Sequence, residues 1–577
     1  MLFRSVTVAW ILFAAIPLSV VTAYFATRVG VRARWIRAVA GLVWAGMTPL
    51  SAAVDEGRLG PVIAHVSLPL IVAGVIVAGS RGHGVQRASA TFATVLLTAL
   101  VGLFTPAVLV LASVAGLVLV LFGPGWGRLR GLLLAVLPWL LTGPWLREVA
   151  ADPRLALGGP GAGVTGPAAS APWQTVLLHP GGGLSPTLFW TVPLILLAIG
   201  GSVRRGHRGR RASALLVGAL ISLTAALGAP LVQLGVVPAG QSAAGDVVTA
   251  WQGLFVSVTA ACLLLAAAQA VELPHPAGRA PWHAPLVAVL TGVVAVAGLG
   301  TLVWSAWSGV GPQISQAARP YPAVVDAQAA GPEALRILDL RVEDDAVTYR
   351  LVGREPGPWV RDHVAELVHG QADVSEPARA ALGRAVLAVT EGGSANDSGA
   401  AHEALLDLGV GYVGLRAAAE DPLVATLDAT AELTRVTSTD EQLLWRVGSS
   451  GDDDALVPPS RVRLVDDAGA PVAVVPVDGP HSTLRSTVEQ PETTAALEIS
   501  EASGWASVAE VRASGHLLQP VAGQWPLRYP VAPEAAGQLA VDLPEPDVTW
   551  RLATGALAVL VLFLALPFGT RRRRLNP

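Results

Sequence analysis

Two carboxylates and a guanidinium stand together at Asp55-Glu56-Gly57-Arg58, between two apolar runs. Paired acids at a membrane-face turn could act as a general base or hold a divalent cation against a phosphate group. Arg58 could contact the phosphate itself, because its planar fork matches two phosphate oxygens. The bland reading of the same residues is a solvated turn in which Arg58 pairs with its neighbours. His65 follows one turn into the next run, where an ionisable side chain faces a cavity or partner, or packs as a hydrogen-bonded neutral ring. Arg147, Glu148, Asp152 and Arg154 gather at the end of another run. They could bind substrate in the same cavity, or simply cap a helix.

Other groups carry less. Asp452-Asp453-Asp454 is acidic enough for a metal but stands in a Gly/Ser/Pro linker, with no strand to aim it. Asn396-Asp397-Ser398 fits a glycosylation acceptor, a pattern three residues specify poorly. Gly392-Gly393-Ser394 follows a helical run and reads as a turn. No phosphate-cradling glycine loop, nucleophile elbow or zinc-ligand spacing is present.

What must position these residues is a set of membrane helices. With 52% hydrophobic and 14% charged residues and a mean hydropathy of +0.55, an ordinary soluble enzyme is excluded. The net charge of −3 is segregated rather than weak. No basic patch interleaved with aromatics offers itself to nucleic acid. The single cysteine, Cys262, lies in an apolar run, so no intrachain disulfide forms. The absence of lysine, with abundant Ala, Gly, Val and Arg, suggests a genome rich in G and C.

Eleven apolar stretches read as spans: 5–27, 38–54, 61–79, 88–104, 106–122, 131–146, 184–202, 212–229, 249–271, 284–306 and 549–567. About twenty residues cross a hydrocarbon core. The second to sixth are short or interrupted by proline, at Pro49, Pro69, Pro106 and Pro138, which a membrane tolerates where neighbours or a cavity satisfy the freed carbonyls. Trp139, Trp145, Trp190, Trp251 and Trp304 lie near span ends, as interfacial anchors do. Arginines fall in alternate gaps: Arg28 to Arg37, Arg81 and Arg87, Arg128 and Arg130, Arg204 to Arg211, a weak Arg279, and Arg571 to Arg574. Inside loops retain such residues. The alternation predicts a multi-pass plasma-membrane protein with its amino terminus outside, residues 311–546 extracytoplasmic and the carboxyl terminus in the cytoplasm. A cleaved signal at 5–27 is the weaker alternative, since that run is long and four arginines follow it. A chain starting outside with no leader suggests the remainder of a longer protein.

Residues 1–310 thus form a multi-span membrane domain, and 547–577 a closing helix with an arginine-rich tail. Loops 147–183 and 230–248 have no periodicity and are expected to be irregular. Within the exported block, 334–342, 346–353, 410–416 and 441–447 read as strands, and 376–391, 399–408 and 421–430 as helices. That alternation predicts an α/β subdomain over 311–450. Short alternating segments such as 471–476, 495–500 and 538–543 predict a β-sandwich subdomain over 451–546.

The run from Pro17-Leu18-Ser19 through Asp55-Glu56-Gly57-Arg58-Leu59-Gly60 to Ala64-His65 resembles the membrane portion of large actinobacterial family-2 glycosyltransferase-like proteins. Thr142-Gly143-Pro144-Trp145-Leu146, Leu406-Asp407-Leu408-Gly409-Val410-Gly411-Tyr412-Val413, Leu444-Trp445-Arg446-Val447 and Glu498 to Trp505 are similar to the same family. The likeness covers nearly the whole chain, through loose and mostly structural motifs. It implies a cytoplasmic sugar-transferase domain upstream, which this chain lacks. It also implies a polyprenyl-linked sugar or cell-wall glycan as partner beside the bilayer, and an acidic residue on an exported loop, Asp55 or Glu56, as base. A non-catalytic scaffold or glycan-binding subunit is the second expectation. A transporter is a distant third, because no internal repeat is visible.

Overall fold

The computed structural model describes every residue except 1, 82–83, 144, 159–169, 182–189, 238–239, 241–243, 273–283, 309–320, 344–345, 354–376, 392–397, 419, 431–432, 439–441, 449–456, 480–481, 488–494, 532–536, 544–547 and 568–577. Among the described residues, eight helices are long and apolar enough to cross a membrane, or nine if one bent pair is a single span. The chain is accordingly a multi-pass membrane protein. Among the described residues each of the eleven expected stretches contains helix, but three fall short of the eight. Ala107–Phe122 and Thr191–Ser202 are shorter apolar helices, and 131–146 lies on a pair bent by 101°. Gly143, at φ +66°, supplies the turn at that bend, a backbone conformation that costs glycine nothing.

The helices, in chain order, are α1 (Leu2–Ala26), α2 (Arg34–Ala45), α3 (Thr48–Asp55), α4 (Leu59–Ala78), α5 (Val85–Gly102), α6 (Ala107–Phe122) and α7 (Trp126–Leu140). After these come α8 (Trp145–Ala151), α9 (Leu155–Gly158), α10 (Pro172–Val176), α11 (Thr191–Ser202), α12 (His207–Gly228), α13 (Gly253–Val271) and α14 (Ala284–Ser308). The second expected span is broken: Gly46 ends α2 and Pro49 opens α3. Gly46 also lets α14 approach, since a Cβ there would meet the Gly298 carbonyl at 2.7 Å. Helix α13 is enclosed by α11, α12 and α4. Only 11% of the α14 window and 6% of that in the final helix, Val548–Ala565, is buried, so both turn most of their apolar surface outward to lipid. The final helix returns to α5, where Ser89 Oγ donates to the Ala565 carbonyl at 2.6 Å.

The two loops expected to be irregular are partly ordered. The short helices α9 and α10 lie within 147–183, and β1 (Gln233–Val236) pairs antiparallel with β2 (Val247–Thr249) within and just beyond 230–248.

The C-terminal part is built on sheets. Strands β3 (Arg336–Glu343), β4 (Ala346–Val352), β5 (Val410–Arg416), β6 (Leu433–Ser438) and β7 (Leu443–Val447) form one sheet in the order β4-β3-β5-β7-β6. Only β3 and β5 run parallel. One face packs Leu338, Leu340, Val413, Leu415 and Trp445 beneath the helices Pro377–Thr390, Ser398–Asp407 and Pro422–Ala429. The short helix α15 (Ala323–Ala329) covers part of the other face, where Tyr321 and Val325 meet Ile337 and Tyr412. The free edge of β4 is occupied: its Tyr349 amide donates to the Gly240 carbonyl of the β1–β2 loop at 2.6 Å. That bond seats this sheet on the end of the helical bundle that carries β1 and β2, and it covers an edge that would otherwise template further pairing.

Two four-stranded sheets follow, β14-β11-β8-β9 and β10-β15-β12-β13, with β8 (Val462–Val465), β9 (Pro471–Val474), β10 (Leu484–Thr487), β11 (Ala495–Ile499), β12 (Glu510–Ala513), β13 (His516–Leu517), β14 (Leu527–Val531) and β15 (Gln538–Asp542). They share one core: Leu464, Leu497 and Tyr529 from the first, and Leu484, Val511 and Val541 from the second. Most of the boundary expected at 450–460, including Asp452-Asp453-Asp454, lies outside the described residues, as do Gly392-Gly393-Ser394 and Asn396-Asp397.

Candidate functional site

Helix α3 stops at Asp55 and α4 starts at Leu59, so three residues reverse the chain. Gly57, at φ +66°, makes this possible. The Arg58 amide then donates back to the Ala53 carbonyl at 2.8 Å. This tight turn folds the Glu56 carboxylate against Arg58, and the two form an ion pair. Arg58 is only 6% exposed, and its guanidinium lies 5.2 Å above the Trp251 ring. A cation over an indole face is attracted by the ring quadrupole, more so when both are dry. Trp251 in turn packs on Leu12, Ala15, Leu50, Val54 and Val62. Asp55, at the last turn of α3, is half-buried and engaged by interactions of its own.

His65 is fully enclosed. Its ring stacks on Trp44 at 4.0 Å and 11°. Nε2 lies 3.2 Å from the Trp44 carbonyl and Nδ1 3.0 Å from Ser257 Oγ. A carbonyl only accepts, so Nε2 carries the hydrogen and Nδ1 accepts from the serine. Both nitrogens are thereby used within the bundle, which fits the packing role better than proton transfer.

Arg147 and Arg154 stand on other supports. Arg147 lies 4.4 Å over the Trp550 ring of the final helix. Arg154 grips Asp152 two residues away, with Nε 3.0 Å from Oδ1 and a terminal nitrogen 2.8 Å from Oδ2. These bonds tie α8 to the final helix and close the turn before α9. They are the capping and anchoring alternatives, whereas Glu56, Arg58 and Trp251 form a cluster.

No known protein family matches this chain, and no characterised protein or solved structure does.

Two residues of the neighbourhood were not singled out for chemistry from sequence. Trp251 reads there as an interfacial anchor, yet it is the platform for Arg58. Its neighbour Gln252, buried at the head of α13, holds part of the 147–183 loop. Its Nε2 donates to the Pro180 carbonyl at 2.9 Å and to Ser170 Oγ, while Thr175 Oγ1 donates to its Oε1 at 3.4 Å. His179 Nδ1 accepts from the Gly181 amide at 3.2 Å within the same loop. The partners lie about seventy to eighty positions apart, so no local pattern could reveal them. Among the described residues no group of three or more His, Cys, Asp or Glu could hold a metal ion. Asp55 and Glu56 alone do not make a cation cage, since hard divalent cations take about six oxygens.

A concavity lies where the five-stranded sheet meets the paired sheets. It encloses about 610 Å³ and is lined by Glu403, Asp407, Arg463, Gln524, Trp525 and Arg528, among others. Arg463 bridges Asp407 and Glu498, at 2.6 Å each. The Trp525 ring nitrogen donates to the Glu501 carbonyl at 2.9 Å, which fixes the indole at the rim.

Proposed function

We propose that this chain is the membrane portion of a cell-envelope glycosyltransferase, handling a lipid-linked sugar at the outer face of the plasma membrane. The observation that carries this reading is the Glu56–Arg58–Trp251 cluster. Trp251 stands two residues after β2, and the β1–β2 loop holds the five-stranded sheet through Gly240. The cluster therefore sits on the bundle end that bears the sheets. A polyprenyl-phosphate headgroup would be recognised by Arg58, with Asp55 or Glu56 as the base that takes the acceptor proton. The arginine alternation supports an outside amino terminus and an extracytoplasmic 311–546 block. That block divides into an α/β unit over 311–450 and a β-sandwich over 451–546. The test is a transfer assay on reconstituted protein with lipid-linked sugar donors. Asp55→Asn or Glu56→Gln is expected to lower turnover at least a hundredfold. Unchanged turnover in both removes the site assignment.

One observation favours a second reading, a glycan-binding membrane subunit without transferase activity. Glu56 and Arg58 already satisfy each other, whereas the junction concavity offers an aromatic ring among fixed donors and acceptors. An indole face beside hydrogen-bonding groups offers a ligand one apolar and one polar surface. Oligosaccharide binding with no turnover in any donor assay would select this alternative.

A further inference from the structure

On the five-stranded sheet, the face opposite the three long helices is only partly covered, and its open portion is basic. Side chains two apart on a strand share a face, and so do directly paired residues on neighbouring strands. Asp339 pairs with Arg350 on β4 and Gly414 on β5, and Arg341 pairs with Thr348 and Arg416. The register thus brings Asp339, Arg341, Arg350 and Arg416 to one patch from three strands. The Asp339 carboxylate is wholly buried. Arg350 lies 2.8 Å from its Oδ2, while Arg341 and Arg416 stand off at 3.8 Å. Among the described residues these three guanidiniums form ion pairs with no carboxylate but Asp339. These four described side chains together carry a formal charge of +2.

One further group has donor capacity to spare. Arg416 Nε is buried without a hydrogen-bond partner and stops 3.8 Å short of Asp339 Oδ1, while the Tyr321 hydroxyl turns to the same Asp339 carboxylate. Tyr321 is only 4% exposed and stands over Gly414, whose hypothetical Cβ would meet its ring at 3.0 Å. Buried donors without partners cost about 1–3 kcal/mol each, so native proteins rarely retain them without reason. The outer sides of the three arginines remain accessible, at 36, 55 and 33%.

We propose that Arg341, Arg350 and Arg416 form a binding site for a phosphate-type oxyanion. Convergent guanidinium forks fit the oxygens of a phosphate, and a dianion would balance the charge that Asp339 leaves over. A phosphate monoester or pyrophosphate suits the site better than a singly charged carboxylate. The position suits it too. Arg350 follows Tyr349, the residue bonded to the β1–β2 loop at the end of the membrane bundle. A lipid phosphate headgroup is thus within reach, as is a free phosphate from solution. The site stands whether or not the chain transfers sugar.

The test uses the full chain in nanodiscs. Inorganic phosphate is titrated by calorimetry into neutral phosphatidylcholine discs. A second arm compares binding of the chain to discs with and without phosphatidic acid. Binding in the first arm identifies a soluble phosphate ligand, and binding confined to the second a lipid headgroup. In either arm Arg341→Gln and Arg416→Gln are each expected to weaken binding about tenfold. Asp339→Asn removes the competing carboxylate and is expected to tighten binding several-fold, which a purely structural cluster would not do. Arg350 is left intact because it is the direct partner of Asp339. No binding by the parent in either arm overturns the proposal, as does binding that survives the Arg341→Gln/Arg416→Gln double change.

Discussion

Glu498 and Asp339 are both carboxylates sunk beneath arginines on β-sheets, and they differ in charge balance. Around Glu498, Arg528 and Arg463 approach at 2.7 and 2.6 Å, and Arg463 also reaches Asp407 on the adjoining unit. Two cations meet two anions, and the group fastens the five-stranded sheet's unit to the paired sheets. Ser500 Oγ adds a bond to the Asp407 carbonyl at 2.6 Å across the same seam. Around Asp339, three cations meet one anion, and two of them stop 1 Å short of contact distance. The first cluster is complete without a ligand. The second has donors and charge to spare, and that surplus separates a fastener from a binding site. The Glu56–Arg58 pair lies between them, balanced one to one but poised on an aromatic platform.

The comparison breaks most visibly at Glu498. Replacing it with Gln leaves the buried Arg463 and the partly exposed Arg528 short of charge, so the full chain is expected to lose about 3–5 kcal/mol in denaturant unfolding. A loss comparable to that of an exposed ion pair, under about 1 kcal/mol, would deny the cluster its fastening role. A smaller effect is expected at Gly469, in the β8–β9 turn. Its φ is +86°, and an added Cβ would meet a terminal nitrogen of Arg528 at 2.8 Å. Gly469→Ala should therefore cost about 1–2 kcal/mol, with the same melt as readout. If Gly469→Ala is neutral, the turn does not hold Arg528 against Glu498.

The smallest effect is a pH dependence. Burial outweighs the Arg463 partner at Asp407 and holds its carboxyl above the ordinary carboxylate value. The native state then binds this proton more tightly than the unfolded chain does. That contribution is complete below the unfolded value near ~3.9 and is lost as pH rises through the native one. The stability gap between the parent and Asp407→Asn should change across that window, moving against the parent as pH rises. A gap that stays flat from pH 3.5 to 7 would mean that the seam feels Asp407 as an ordinary surface acid.

The helical half was legible because membrane crossing imposes a length, and length is written in composition. Among the described residues each of the eleven apolar stretches contains helix, and eight helices are long and apolar enough to cross a membrane. The break in the second span was not expected, since Gly46 and Pro49 look harmless without α14 beside them. Strands β3, β4, β5 and β7 announce themselves through apolar runs such as Val410 to Leu415. Strand β6 does not, because Leu433-Thr-Arg-Val-Thr-Ser carries only two aliphatic residues. The Glu56–Arg58 pair was visible because its members are two residues apart. The Asp339 patch was invisible for the opposite reason: its arginines lie on three strands, and register alone brings them together. The one local sign was Asp339 and Arg341 at a two-residue spacing in a strand, a pattern too common to stand out.

The contact between the final helix and α5 sets a timetable for assembly. Ser89 and Ala565 are separated by 476 positions. Synthesis at roughly 5–20 residues per second places on the order of a minute between them. Throughout that interval the face of α5 that receives Val548–Ala565 has no protein partner, while every sheet is being made and folded. The bundle is therefore closed last, by a helix that emerges only after the sheets. A chain stalled in the sheets would display an unfinished α5 surface in the membrane.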